Sequence, residues 1–363
     1  MRVALIHYWL VHWRGGEKAL RAIADIFPGA DIITHVYDKT LTQREFPGRR
    51  IRTTFIAKLP FAQRHYQKYL PLMPLALEQL DLRGYDLVIS NESGPAKGVI
   101  VDPHTQHLCY CLSPMRYLWD MYPDYRENAG AITRAAMAPM FHYVRMWDQI
   151  SAQRVDRYIA ISRFVAARIS KYYRRHADVI YPPVSVDDFA ISSSREDFYL
   201  SVGQLVAYKR ADLMVEAFNL LGKRLVIIGE GELMPKLRRM AKSNIQLLGR
   251  QPFEVIRDHY ARCKALVFPG TEDFGIVPVE AMASGKPVIA FAAGGALDTV
   301  IDGRTGLLFP EQTPHGLIAA IRRFEEIGDS FDPVAIRAHA EQFSTARFTE
   351  QFRACVNSMI AKA

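Results

Sequence analysis

Short apolar, β-branched runs alternate along the chain with stretches whose apolar residues recur every three to four positions. The first runs predict strands at Val3–Tyr8, Ile32–Tyr37, Leu87–Asn91, His107–Leu112 and Tyr158–Ser162. A second series predicts strands at Tyr199–Gly203, Leu225–Gly229, Ile245–Leu248, Ala265–Pro269, Val288–Phe291 and Gly306–Phe309. Many are apolar at successive rather than alternate positions, the pattern of a parallel sheet covered by helices on both faces. The intervening stretches have a helical period. In Ala211–Leu221, Leu213, Val215, Ala217, Phe218 and Leu221 point inward and Gly222 ends the helix.

The two series are separated by Tyr181-Pro182-Pro183-Val184 and a polar stretch over Ser192–Asp197. Prolines and serines grouped in this way read as a linker. A length of 363 residues also exceeds what one ordinary hydrophobic core supports. The fold class is therefore α/β, with two doubly wound Rossmann-like domains, at 1–184 and 185–340. In such sheets ligands sit beyond the carboxyl ends of the strands, so two facing sheets would share a cleft. Residues 341–363 read as a C-terminal helix that packs back on the first domain.

Composition narrows the class. Hydrophobic residues make up 49% and charged residues 23%, values of a folded globular chain and not of a disordered one. The opening segment MRVALIHYWL is followed at once by charged residues, so it reads as a buried strand and not a leader. No apolar run approaches the ~20 residues that span a bilayer, and a cytoplasmic location is expected. Cys109, Cys111, Cys263 and Cys355 lack metal-ligand spacing and read as buried thiols. The net charge of +8, with Arg49, Arg50, Arg52, Lys58, Arg64, His65 and Lys68 close together, favours anionic partners. Phe55–Leu82 mixes these cations with aromatic and apolar residues and is broken by Pro60, Pro71 and Pro74. It reads either as an interfacial segment or as a lid or core element of the first domain.

Candidate chemistry concentrates after strand ends. Gly270 follows the strand Ala265–Pro269, and EDFGIVPVE (residues 272–280) comes next, with a helix expected to begin near Pro278. The amides of Phe274, Gly275, Ile276 and Val277 would then form an anion site at a helix N-terminus. Glu272 stands on the loop before them, and Glu280 one turn inside the helix. The segment from Gly203 to Arg210 (GQLVAYKR) also closes a strand and opens a helix. Arg14-Gly15-Gly16-Glu17-Lys18 follows the first strand, and two glycines there let the backbone approach a ligand.

TEDFGIVPVEAMASGKPVIAFAAGGALDTVIDGRTGLLFP (residues 271–310) resembles the donor-binding core of the family 4, or group 1, retaining glycosyltransferases of the GT-B fold. Their E-x7-E motif matches Glu272 and Glu280. The resemblance implies that Glu272 lies at the donor sugar and is catalytic with Lys209, and that Glu280 lies at the nucleotide ribose. It assigns Gly15, Gly16, Gln204, Lys209, Arg210, Gly229, Glu230 and residues 274–277 to the donor. Leu248-Gly249-Arg250 stands near the base. Gln204 occupies a place where the family usually has Arg, with Arg210 as its substitute, and Asp298 stands where Glu is usual. SPMRYLWD (residues 113–120) is similar to a segment of bacterial O-antigen and capsule mannosyltransferases, in which His is common at the place of Leu112. Arg116, Asn91 and Glu92 are the implied acceptor contacts, and His7 is either a cleft residue or a core histidine.

The resemblance therefore implies a metal-independent hexosyltransferase, moving mannose from GDP-mannose to a lipid-linked or polysaccharide acceptor. No cofactor is implied beyond the nucleotide-sugar substrate. Peripheral contact with the inner face of the plasma membrane is expected, and nucleic acid is not an expected partner. The alternatives are another donor, a UDP- or dTDP-sugar, or a nucleotide-sugar-binding protein without transfer. An epimerase or a phosphorylase on the same fold is less well matched.

Overall fold

The computed structural model describes residues 1–127, 129–192 and 194–361. Ser193 of the expected linker and the last two residues of the expected C-terminal helix lie outside the described residues. The chain divides into two compact units, residues 1–181 with 348–363, and residues 182–347. The sequence reading divides the chain at 184/185 and gives residues 341–363 as a C-terminal helix that packs back on the first domain. In the structure residues 341–347 belong to the second unit, and the chain from Phe348 onward belongs to the first.

The first unit is built on seven parallel strands: β1 (Val3–His7), β2 (Asp31–Thr34), β3 (Ile51–Thr53), β4 (Leu87–Glu92), β5 (Gln106–Cys111), β6 (Arg157–Ala160) and β7 (Ala177–Val179). Their order is β3-β2-β1-β4-β5-β6-β7. Leu5 of β1 lies between Ile32 and Ile89, with no side-chain surface left exposed. The edge strands β3 and β7 were not anticipated from the sequence. Each has three residues with one charged side chain, too little to stand out as an apolar run. Phe348 and Phe352 of the C-terminal helix pack edge-on against Tyr110 of β5, with ring centroids 5.6 and 5.9 Å away.

The second unit has six parallel strands: β8 (Tyr199–Val202), β9 (Leu225–Ile228), β10 (Ile245–Gly249), β11 (Ala265–Phe268), β12 (Val288–Phe291) and β13 (Gly306–Phe309). The order β10-β9-β8-β11-β12-β13 is that of a doubly wound nucleotide-binding sheet. Strand order reverses between β8 and β11 in this unit, and between β1 and β4 in the first. The connections leaving those strands diverge to opposite faces and open a crevice at the carboxyl end. Among the described residues, no helix is long and apolar enough to cross a membrane.

Candidate functional site

In the second unit the loops leaving β8 and β11 meet at the reversal point. A small pocket there is lined by Gly203, Gln204, Leu205, Lys209, Gly270 and Glu272. The Lys209 ammonium lies 2.8 Å from Oε1 of Glu272, an ion contact without hydrogen-bond alignment. Both side chains keep about a fifth of their surface in solvent, 21% and 20%. The pair is therefore reachable, and its attraction is partly screened.

Two close backbone approaches fix this geometry. A Cβ on Gly270 would lie 2.7 Å from Cα of Lys209, so only glycine lets the β11 loop come that near. A Cβ on Gly295 would lie 2.2 Å from both Cα and O of Phe274, and the Gly295 amide donates to the Glu272 carbonyl at 2.8 Å. The sequence marks Gly270 only as a strand end and does not mark Gly295, because a glycine required by a neighbour 21 or more positions away carries no local signal of that contact. Gly203 donates to the Ile228 carbonyl (2.9 Å), Leu205 to the Glu230 carbonyl (2.8 Å) and Gly229 to the Gly249 carbonyl (2.9 Å). The glycine loops after β8, β9 and β10 are thus stitched into one rim. Glu230 and Gln204 project exposed side chains from it.

The helix after β11 spans Ile276–Ala283, with Gly275 in a left-handed conformation (φ 89°) at its start. It begins two residues before the expected Pro278. The left-handed glycine turns the chain early, and Pro278, in the first turn, has no N–H to lose. Gly275, Ile276 and Val277 bring first-turn amides for which the helix supplies no carbonyl. Phe274 contributes mainly packing: its ring is buried 5.6 Å from that of Phe343. Glu280 accepts a hydrogen bond from the buried Tyr260 hydroxyl at 2.9 Å, and burial followed by the Glu280 charge holds that phenol well above its ordinary pKa.

Arg210, expected as a substitute cation, has partners of its own in the structure. It sits in a left-handed conformation (φ 54°), with its guanidinium 3.4 Å from Asp212 and 3.3 Å from the Gln312 side-chain oxygen. Gln312 in turn donates to the Pro269 carbonyl at 2.9 Å. Arg210 thus braces the end of β11, and its charge is already shared.

In the first unit, Gly15 and Gly16 open the helix Gly15–Ile26, and the Arg14 amide donates to Oε2 of Glu17 at 2.9 Å. Asn91 and Glu92 require correction as acceptor contacts. Asn91 is 1% exposed, and its amide donates to the Gly16 carbonyl at 2.8 Å and lies 3.2 Å from His7 Nδ1. It ties β4 to the glycine loop from inside, and His7 is a core histidine. Glu92 is wholly buried. Its Oε2 accepts from the amides of Ala96 (2.8 Å) and Lys97 (2.7 Å), and its Oε1 lies 3.3 Å from Lys97 Nζ. Lys97 also pairs with buried Asp148, which accepts from Trp119 Nε1 at 2.8 Å. Burial alone would lower the Lys97 pKa, but the Asp148 and Glu92 carboxylates outweigh it and raise it. Nothing in the local sequence announces this triad, whose members are as many as 56 positions apart. Arg116 is half-buried in the turn after β5, between buried Met115 and Leu118. Among the described residues no three His, Cys, Asp or Glu side chains are grouped to hold a metal ion.

Residues 187–340 match the family of group 1 glycosyl transferases. The chain is 34% identical over 178 residues to an uncharacterized glycosyltransferase of Methanocaldococcus jannaschii, covering 48% of this chain and 50% of that protein. It is 28% identical over 163 residues to the O-antigen chain mannosyltransferase RfbU of Salmonella typhimurium, covering 40% and 45%. The chain thus spans about half the length of the curated relatives it matches. Its fold is shared with Anabaena HepE, solved with UDP and glucose, at a TM-score of 0.73 and 19% identity over 99% of this chain and 100% of that one.

Proposed function

From the group 1 glycosyltransferase domain that residues 187–340 form, we propose that this GT-B chain transfers a hexosyl group, with retention, from a nucleotide sugar to a lipid-linked or polysaccharide acceptor. GDP-mannose is the proposed donor, in keeping with the likeness to an O-antigen mannosyltransferase. The observation that carries the reading is the Lys209–Glu272 pair, held at the sheet's reversal point three residues before the amides of Gly275, Ile276 and Val277. A cation and a row of N–H groups suit a diphosphate. The carboxylate beside them suits sugar hydroxyls.

In the proposed reaction the acceptor hydroxyl oxygen bonds to the anomeric carbon on the face that the diphosphate leaves. The carbon–oxygen bond to the diphosphate breaks, and a departing phosphate oxygen takes the hydroxyl proton. Lys209 exchanges part of its contact with Glu272 for the leaving phosphate and stabilises its charge. Glu272 orients the sugar. Glu280, one oxygen of which is fixed by Tyr260, offers the other to the ribose. Positioning and preorganised charge supply the rate, and no metal is invoked, so activity should persist in EDTA. A second reading, binding without transfer, is favoured by one observation: Gln204 is uncharged and Arg210 is committed to Asp212 and Gln312.

A thermal-shift panel of GDP-mannose, UDP-glucose and a dTDP-sugar tests the donor. A ligand at 100 times its Kd adds about 2.7 kcal/mol to the native state. GDP-mannose should give the largest rise. No rise with any of them would sink the donor-site reading. A rise without turnover would favour the second one.

A further inference from the structure

The helix Ala131–Ser151 of the first unit is apolar on two opposite faces. Its inner face, Met137, Phe141, Val144 and Trp147, is buried in one core cluster with Ala4, Ile6 and Val88. A helix at a protein surface ordinarily sets charged and polar residues opposite such a stripe. Here none of the exposed residues from 135 to 150 is Lys, Arg, Asp or Glu. The two charged residues in that span turn inward. Arg145 donates to the Leu118 carbonyl at 2.8 Å and lies over the Trp119 and Tyr122 rings, and Asp148 is buried beside Lys97.

The outer face carries large apolar side chains. Tyr143 and Met146 are each 48% exposed, and Ile150 is 63% exposed. With exposed Pro139 they fall at i, i+4, i+7 and i+11, which places them on one stripe along the helix. A helix that is apolar all round is the pattern of a covered helix, and a contiguous apolar patch marks a contact surface.

The spacing makes this stripe its own complement. Two copies laid antiparallel about a two-fold axis between Val144 and Arg145 bring Tyr143 of each against Met146 of the other. The bulky Ile150 of each then meets the compact Pro139 of the other. A two-fold contact of this kind needs the same patch on both sides, and the antiparallel arrangement sets the helix dipoles in opposition. Charge points the same way. The net charge of +8 makes two copies repel in general, and this face adds no charge to that repulsion. An acidic or basic partner would find no counter-charge here, and a helix lying on a bilayer would carry Lys or Arg beside its apolar stripe.

We propose that Pro139, Tyr143, Met146 and Ile150 dock on the same four residues of a second copy of this chain, forming an antiparallel two-fold dimer. The proposal goes beyond the transferase reading and is independent of it, since no residue of the stripe is assigned to donor or acceptor. One helix-on-helix contact stands at the low end of specific interfaces, roughly 1,000 Å² in all, so a Kd of about 10–100 μM is expected.

The test is sedimentation velocity of the full chain from low micromolar concentration to several hundred micromolar. The wild-type chain should shift from monomer to dimer across that range. Met146→Lys places two like charges beside the two-fold axis and should weaken association on the order of a hundred-fold or more. Leu220→Lys, at a 63% exposed position on the helix Ala211–Leu221, should leave it unchanged. Circular dichroism and melting of dilute samples check that each variant is folded. A second measurement reads the pairing itself. In the double variant Pro139→Cys, Ile150→Cys the two thiols of one chain stand about 16 Å apart, too far to bond to each other. Mild oxidation should therefore join two chains, while either single variant stays uncoupled, because its own copy across the axis is equally distant. The four native cysteines are buried and should not react. A chain that stays monomeric throughout, wild-type association by Met146→Lys, dissociation by Leu220→Lys, or coupling by a single variant overturns the proposal. So does a monomer that binds phosphatidylcholine vesicles and loses that binding in Met146→Lys.

Discussion

Substituting Gly295 by alanine strikes the proposed donor site without touching any side chain assigned to it. The added Cβ would fall 2.2 Å from Cα and O of Phe274. Both are backbone atoms and cannot rotate away. To reach an ordinary contact the two segments must separate by about 1 Å, and the segment displaced is the loop from Glu272 to Gly275. The hydrogen bond from the Gly295 amide to the Glu272 carbonyl, 2.8 Å long, opens with it. Overpacking of this kind costs about 1–3 kcal/mol, or roughly 2–12 °C in Tm for a unit of this size. A misplacement of about 1 Å in a positioned group also costs on the order of a hundred-fold in rate. Differential scanning fluorimetry with and without donor, followed by kcat/KM, separates the two effects. Gly29→Ala, where no atom lies within 4 Å of the new Cβ, is the control. A Gly295→Ala enzyme that melts lower but keeps donor affinity and turnover within about twofold would show that this contact does not place the site.

The remaining expectations concern charge. Lys209→Met removes a partly screened ion pair worth about 1 kcal/mol or less, so Tm should move little while kcat/KM falls about a hundred-fold; unchanged kinetics would remove Lys209 from the mechanism. Lys97→Met leaves Glu92 and Asp148 buried without their cation and should cost about 3–5 kcal/mol in urea unfolding, whereas a loss under about 1 kcal/mol would contradict the triad's structural part. Burial lowers the pKa of His35 to about 4 and, helped by the Lys97 and Arg154 charges, that of His107 to about 3. The unfolded chain protonates these histidines below about pH 6.5 while the folded chain does not, so the stability they confer is complete above that pH and is lost as pH falls toward 4. From pH 6.5 to 5 the loss is about 2 kcal/mol per histidine. Both belong to the first unit, which should melt earlier at pH 5 than at pH 7. An unchanged or higher melting temperature would refute the assignment.

The fold was legible where local pattern and burial coincide. β12 and β13 run from Val288 to Phe291 and from Gly306 to Phe309 as the apolar runs predict, and Ala211–Leu221 ends at a left-handed Gly222 (φ 70°). The loop from Glu272 to Gly275 was legible as the lead into a helix, since glycine, carboxylates and an apolar helix stand in one continuous stretch. What escaped detection depends on distant partners. Asn91 and Glu92 close a strand at the reversal point, where a ligand contact and a buried tie have the same local sequence. The partners that decide between them, Gly16 and Lys97 with Asp148, are set by β1 beside β4 and by a helix far along the chain. The contact of Arg210 with Gln312 was not legible for a similar reason, because Gln312 lies 102 positions away.

Glu272 carries the transferase reading most directly. Transfer of mannose from GDP-mannose to a lipid-linked acceptor should be measured under single-turnover conditions for the wild-type chain and for Glu272→Ala, with circular dichroism confirming the fold of both. The expected result is a rate on the order of a hundred-fold lower or less for Glu272→Ala, with Tm within a few degrees of the parent. Equal transfer rates would contradict the assignment of this loop as the place where the sugar is held and moved.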